Sequence, residues 1–177
     1  MNLWDTEARV NAEVQAYCQA KGHTEQEGLN NLTPHNCVKA FQMAKRLTQQ
    51  GFDIYLAIAP EGFIYSYFFE RFGAKILSVF SDYPSTHIET KDDLSVLNSA
   101  RVLVIEDDVL GGGTLRRLAQ FLQPFNPKEL CVYLGHNKNV QRVRNMPPEY
   151  TKTYVAEDEL EVGKWAQYEK EFVEFFQ

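Results

Sequence analysis

The stretch that decides the fold runs Val102-Leu103-Val104-Ile105-Glu106-Asp107-Asp108-Val109-Leu110-Gly111-Gly112-Gly113-Thr114-Leu115. Its four leading apolar residues read as a strand buried on both faces. Acids follow at the carboxyl end, where open α/β sheets place their ligands. Gly111, Gly112, Gly113 and Thr114 then open a helix predicted over Thr114 to Leu122. Glycines let the backbone turn tightly and gather successive N–H groups around a phosphate, and the helix start adds its positive dipole end. Glu106 and Asp107, just before such a loop, would face neighbouring hydroxyls of a sugar or a hydrated divalent cation. A ribose 5-phosphate has the spacing that both demands set. Glycine-rich turns also serve as plain connections, and acidic strand ends as solvated edges. The fixed order of strand, acids and GGGT favours the phosphate–ribose site.

Working outward, further short apolar runs read as strands: Ile54 to Ala59, Lys75 to Phe80 and Leu130 to Leu134. A helix from Phe63 to Phe72, closed by Gly73, lies between the first two. Strands alternating with helices predict an α/β fold with a parallel sheet covered on both faces. Before this core, Leu3 to Lys21 has helical spacing of Val10, Val14 and Tyr17. A polar loop spans Gly22 to Thr33. Thr33-Pro34 then caps a second helix that runs to about Gln50. From Met146 the tail predicts a strand at Thr151 to Val155 and a helix near Val162 to Phe176, read as a small C-terminal cap.

The chain has 177 residues, 44% of them hydrophobic, so it can bury a core. Its net charge of -6 argues against a general nucleic-acid or anionic-membrane binder, which works by neutralising phosphates. No stretch approaches the roughly 20 uncharged apolar residues of a membrane span. The start, MNLWDTEARVNAE, lacks the apolar core of a secretory leader. Cys18, Cys37 and Cys131 have no metal spacing, and an odd number suits a reducing compartment. A soluble, cytoplasmic protein is expected.

VLVIEDDVLGGGT resembles the phosphoribosyl pyrophosphate signature of the type I phosphoribosyltransferases. The resemblance implies that Glu106 and Asp107 grip the ribose hydroxyls and that Leu110, Gly111, Gly112, Gly113 and Thr114 hold the 5-phosphate. Asp108 departs from it, standing where the family usually has an apolar residue. The segment Asp53 to Phe63, followed by a helix and Gly73-Ala74-Lys75-Ile76-Leu77, is similar to the family's first core strand, pyrophosphate loop and next strand. The similarity covers Gly51 to Gly135. It implies one phosphoribosyltransferase-like domain over 1–177, with a helical part at 1–50, a core at 51–135, and a cap with its helix at 136–177.

The pyrophosphate loop is where the chain departs most. The family usually has a basic residue and paired glycines there, and Pro60, Glu61 and Gly62 stand in their place. A carboxylate beside pyrophosphate is unfavourable unless a metal ion lies between them. Leu110 stands where members acting on 6-oxopurines commonly carry an Asp, and leucine does no acid–base work. The loop Ser81 to Ser99 lies where the family keeps a mobile flap, with His87 and Lys91 as its candidates for contacting a leaving pyrophosphate and a solvated loop as the alternative. His136, Asn137 and Lys138 follow the fourth strand on the acceptor side. Arg116 and Arg117 begin the helix after the glycines, where one can approach a phosphate.

Two functions are expected from these readings. The first is an enzyme that uses Mg²⁺, reached indirectly through Glu106 and Asp107. It would join an acceptor nitrogen to the anomeric carbon of phosphoribosyl pyrophosphate and release pyrophosphate. The alternative is a non-catalytic protein of the same fold that binds a nucleoside monophosphate or ribose 5-phosphate, and Pro60-Glu61 supports it. A homodimer is in keeping with the resemblance.

Overall fold

The computed structural model describes residues 1–22, 26–81, 87–136 and 145–177. Among the described residues six strands form one sheet: β1 (Ile54–Ala59), β2 (Ile76–Ser81), β3 (Ile88–Glu89), β4 (Arg101–Glu106), β5 (Glu129–Leu134) and β6 (Tyr150–Tyr154). Their spatial order is β3-β2-β1-β4-β5-β6. All neighbours pair in parallel except the short edge strand β3, which runs antiparallel to β2. The buried runs of β1, β4 and β5 are the near-continuous apolar strands that a sheet covered on both faces requires.

Seven α-helices are described: α1 (Leu3–Ala20), α2 (Gln26–Asn30), α3 (Pro34–Leu47), α4 (Gly62–Arg71), α5 (Gly113–Leu122), α6 (Ala156–Glu159) and α7 (Trp165–Phe175). Side chains alternate across each strand, so the sheet has two separate cores. On one face Tyr55, Ala57, Leu103 and Ile105 pack with α1, α3, α4 and α7 through Val14, Phe41, Phe68 and Phe172. On the other, Leu56, Ile58, Val102 and Val104 pack with α5 through Leu115, Leu118 and Leu122, and with Leu94 and Leu97 of a 3₁₀ turn. The aromatic run from Phe63 to Phe69 is therefore core packing, with Phe68 and Phe69 fully buried.

The helix starts follow their capping chemistry. Thr33 Oγ1 accepts the Asn36 N–H at 3.3 Å, with Pro34 in the first turn of α3. Asn2 Oδ1 accepts the Asp5 N–H at 2.9 Å at the start of α1. The short helix α2 lies within the segment read as loop. Its five residues follow Gly22 and precede Thr33-Pro34, too few to show an apolar period.

The tail expected as a cap is continuous with the core. β6 extends the sheet beside β5, and the Tyr150 hydroxyl donates to the Leu115 carbonyl of α5 at 2.7 Å. α7 returns to the first face, where Glu171 accepts from Gln42 and Lys45 of α3, each at 2.9 Å. Trp165 stacks on His35 with ring centroids 4.1 Å apart, while Trp4 is 70% exposed. No helix among the described residues is long and apolar enough to cross a membrane.

Candidate functional site

Connections leave the sheet in opposite directions from β1 and β4: β1 leads to β2 on one side, and β4 leads to β5 on the other. The carboxyl ends of β1 and β4 thus flank a topological switch point, the place where an α/β sheet opens a crevice. The register pairs Ala57 with Ile105, so Ala59-Pro60-Glu61 and Glu106-Asp107-Asp108 emerge side by side. They line a cavity of about 740 Å³ together with Phe80, Ser81, Val109, Thr114 and Arg117. Leu110, Gly111, Gly112 and Gly113 complete that wall.

Each side of the crevice is built by a strand that turns straight into a helix. After β4, Gly112 takes the left-handed conformation, φ 77°, at the start of α5. A side chain there would strain the backbone, and its Cβ would lie 2.5 Å from the Asn145 carbonyl oxygen. The Asn145 amide in turn donates to the Leu110 carbonyl at 3.2 Å, which holds the loop from outside. After β1, the Ala59–Pro60 bond is cis and Glu61 occupies the cap position of α4 with helical φ and ψ. Gly62 packs directly on β4: a Cβ there would lie 2.5 Å from the Ile105 carbonyl oxygen.

The acids are tightly connected. Glu106 Oε1 accepts the Asp107 N–H at 2.8 Å, Asp107 Oδ1 accepts the Asp108 N–H at 2.6 Å, and Asp108 Oδ1 accepts the Val109 N–H at 2.8 Å. The Gly135 and His136 N–H groups donate to the carbonyls of Glu106 and Asp107. Glu106 is only 6% exposed. Burial, reinforced by the charge of Asp107 and to a lesser extent that of Glu61, pushes its carboxyl well above the usual range. Burial also raises Asp107, against the lowering effect of its bonds to Glu106 and the Asp108 amide and of His136 nearby. At the other end, Arg117 Nη2 donates to Thr114 Oγ1 at 3.4 Å.

The structure thus brings Pro60, Glu61, Glu106, Asp107, Leu110, Gly111, Gly112, Gly113 and Thr114 to one cavity, and Gly62 lies directly behind it. It does not bring His87 or Lys91 there. His87 is exposed beside Glu89, 3.3 Å away, and Lys91 is exposed on the following turn. The flap residues 82–86, with Asn137 and Lys138, lie outside the described residues. Sequence reading left Arg116 and Arg117 equivalent, whereas only Arg117 lines the cavity. Its signal was available: position i+3 from Thr114 returns to the same helix face. Ile58, Phe80 and Ser81 carry no such signal, because they reach the cavity only through strand pairing.

No three-member group of His, Cys, Asp and Glu arranged to hold a metal occurs among the described residues. Glu106 and Asp107 are the residues there that could hold a hard cation such as Mg²⁺, which takes one or two protein carboxylates and completes its shell with ligand phosphate and water.

No protein-family model matches the chain, and no curated protein matches it in sequence. Among solved structures, it is similar to a Trypanosoma cruzi hypoxanthine phosphoribosyltransferase in complex with the product IMP, at 16% identity and a TM-score of 0.49, covering 67% of this chain and 74% of that one. A Bacillus anthracis hypoxanthine-guanine phosphoribosyltransferase is similar at 20% identity and a TM-score of 0.47, over 66% of this chain and 76% of that one. The L. donovani hypoxanthine-guanine enzyme gives 15% identity and a TM-score of 0.45.

Proposed function

We propose that this chain is a phosphoribosyltransferase-like protein that binds a phosphoribosyl group in the crevice between β1 and β4. The observation that carries the reading is the single cavity lined both by the glycine loop at the start of α5 and by the Glu106–Asp107 pair. The amides of Gly111 to Thr114 and the start of α5 would receive the 5-phosphate. Glu106 and Asp107 would take the ribose hydroxyls one sugar length away. In the enzymatic reading the ligand is phosphoribosyl pyrophosphate, and the phosphoribosyl group passes to a nitrogenous acceptor as pyrophosphate leaves. Mg²⁺, reached through Glu106 and Asp107, would supply charge neutralisation for that leaving group. The protein's own part is to orient the ribose, and the Asp107 carboxylate would favour positive charge developing on the sugar.

A second reading is a non-catalytic protein that binds a nucleoside monophosphate or ribose 5-phosphate. Glu61 favours it, because a carboxylate stands where the pyrophosphate would lie. Calorimetric titration with phosphoribosyl pyrophosphate and Mg²⁺, beside ribose 5-phosphate, tests both. Metal-dependent binding of the diphosphate far above the monophosphate supports transfer, and equal binding supports the second reading. Binding of neither ligand overturns both.

A further inference from the structure

The cavity carries its charges at two poles. Helices α4 and α5 cover opposite faces of the sheet, with Phe63, Ile64 and Phe68 in one core and Leu115, Leu118 and Leu122 in the other. Glu61 stands at the N-cap position of α4 and Arg117 belongs to α5, and both side chains line the same cavity from these two sides. Among the described lining residues Arg117 is the one cation, while Glu61, Glu106, Asp107 and Asp108 are the acids. The Glu61 charge adds to the rise of the Glu106 carboxyl, less than burial and Asp107 do.

Arg117 is held ready for an anion. Its guanidinium folds back over the loop, with Nη2 donating to Thr114 and Nη1 3.3 Å from where a Cβ on Gly113 would lie. Its Nε–H is buried and has no hydrogen-bond partner. A buried donor without a partner is costly, and a guanidinium lying over the glycine loop can give an oxyanion there a charge-assisted bond. Arg116, one position along and turned away by the helix, is exposed.

We infer that Arg117 anchors the ligand's phosphate and that Glu61, on the opposite side, makes the cavity select a ligand with one phosphate over one with a diphosphate at the far end when no divalent cation is present. The inference rests on the phosphoribosyl reading of the site and names its ligand class further.

The test is calorimetry without divalent cations, with ribose 5-phosphate and phosphoribosyl pyrophosphate as the probes. Wild type is expected to bind ribose 5-phosphate more tightly than the diphosphate. Arg117→Gln should weaken ribose 5-phosphate binding by about ten-fold or more, the loss of one charge-assisted bond. Arg117→Lys should recover part of it, and Arg116→Gln should stay within about two-fold, as expected for an exposed surface charge. Glu61→Gln should raise affinity for the diphosphate while leaving ribose 5-phosphate unchanged. Circular dichroism of each variant separates loss of binding from loss of fold. Wild-type affinity in both Arg117 variants, or a metal-free preference for the diphosphate, overturns the inference while leaving the phosphoribosyl reading standing. If wild type binds neither probe with or without Mg²⁺, that reading falls and takes the inference with it.

Discussion

Two strand-to-helix turns stand side by side on neighbouring parallel strands, and they have opposite characters. The β1–α4 turn is short and closed: Glu61 stands at the N-cap position without a side-chain capping bond, and Gly62 presses against the Ile105 carbonyl. The β4–α5 turn is rich in glycine and open to the cavity, with Gly112 left-handed and Leu110 69% exposed. The first glycine is needed for packing and the second for backbone shape. Equal topology therefore supports unequal chemistry, because a helix start binds an anion only where its amides are uncovered.

Mutations that strip one turn at a time can break this contrast. The largest effect is expected from Glu106→Ala with Asp107→Ala. Losing two hydrogen-bonding carboxylates should weaken ribose 5-phosphate binding by about a hundred-fold, from roughly 1.5 kcal/mol for each charged bond, with the far-UV spectrum unchanged. Unaltered affinity in calorimetry would remove the acid pair from the site.

Gly62→Ala should cost about 1–3 kcal/mol of stability in urea unfolding, since the new methyl overpacks against a backbone carbonyl. A neutral result would show that α4 can slide on β4 and that the closed turn is not rigid. Gly112→Ala should cost about 1–2 kcal/mol through backbone strain, and it should weaken ligand binding as well. Stability loss with full affinity would mean that the left-handed turn serves only to connect.

A smaller effect concerns the anchoring of α7 behind the closed turn. Hydrogen bonds from Gln42, and then from Lys45, hold the Glu171 carboxyl down to about 2. A depressed acid stabilises the fold above its unfolded value and loses that contribution as pH falls through the folded one. Wild type should therefore lose thermal stability between the ordinary glutamate range and about pH 2 more steeply than Glu171→Gln. Parallel curves in a thermal melt series would count against the pairing. The smallest effect belongs to Leu110→Ala, expected within about 0.5 kcal/mol because the side chain is mostly exposed.

Residues 102–114 made the centre of the molecule legible. A buried apolar run, a strand-end acid pair and a glycine-rich helix start are local patterns with local causes, and they appear as β4, the Glu106–Asp107 corner and the start of α5. The same held for the capped helix after Thr33 and for the alternation of strands and helices, because capping and periodicity act over a few residues. Only the tertiary structure decided what depends on distant segments meeting. Strand order brought Pro60-Glu61 beside Glu106-Asp107, β6 joined the sheet instead of standing apart, and helix rotation put Arg117 at the cavity and Arg116 outside. These outcomes depend on contacts between segments distant in the sequence. Sequence periodicity specifies which face of an element is buried, and the packing of the whole chain selects the face it meets.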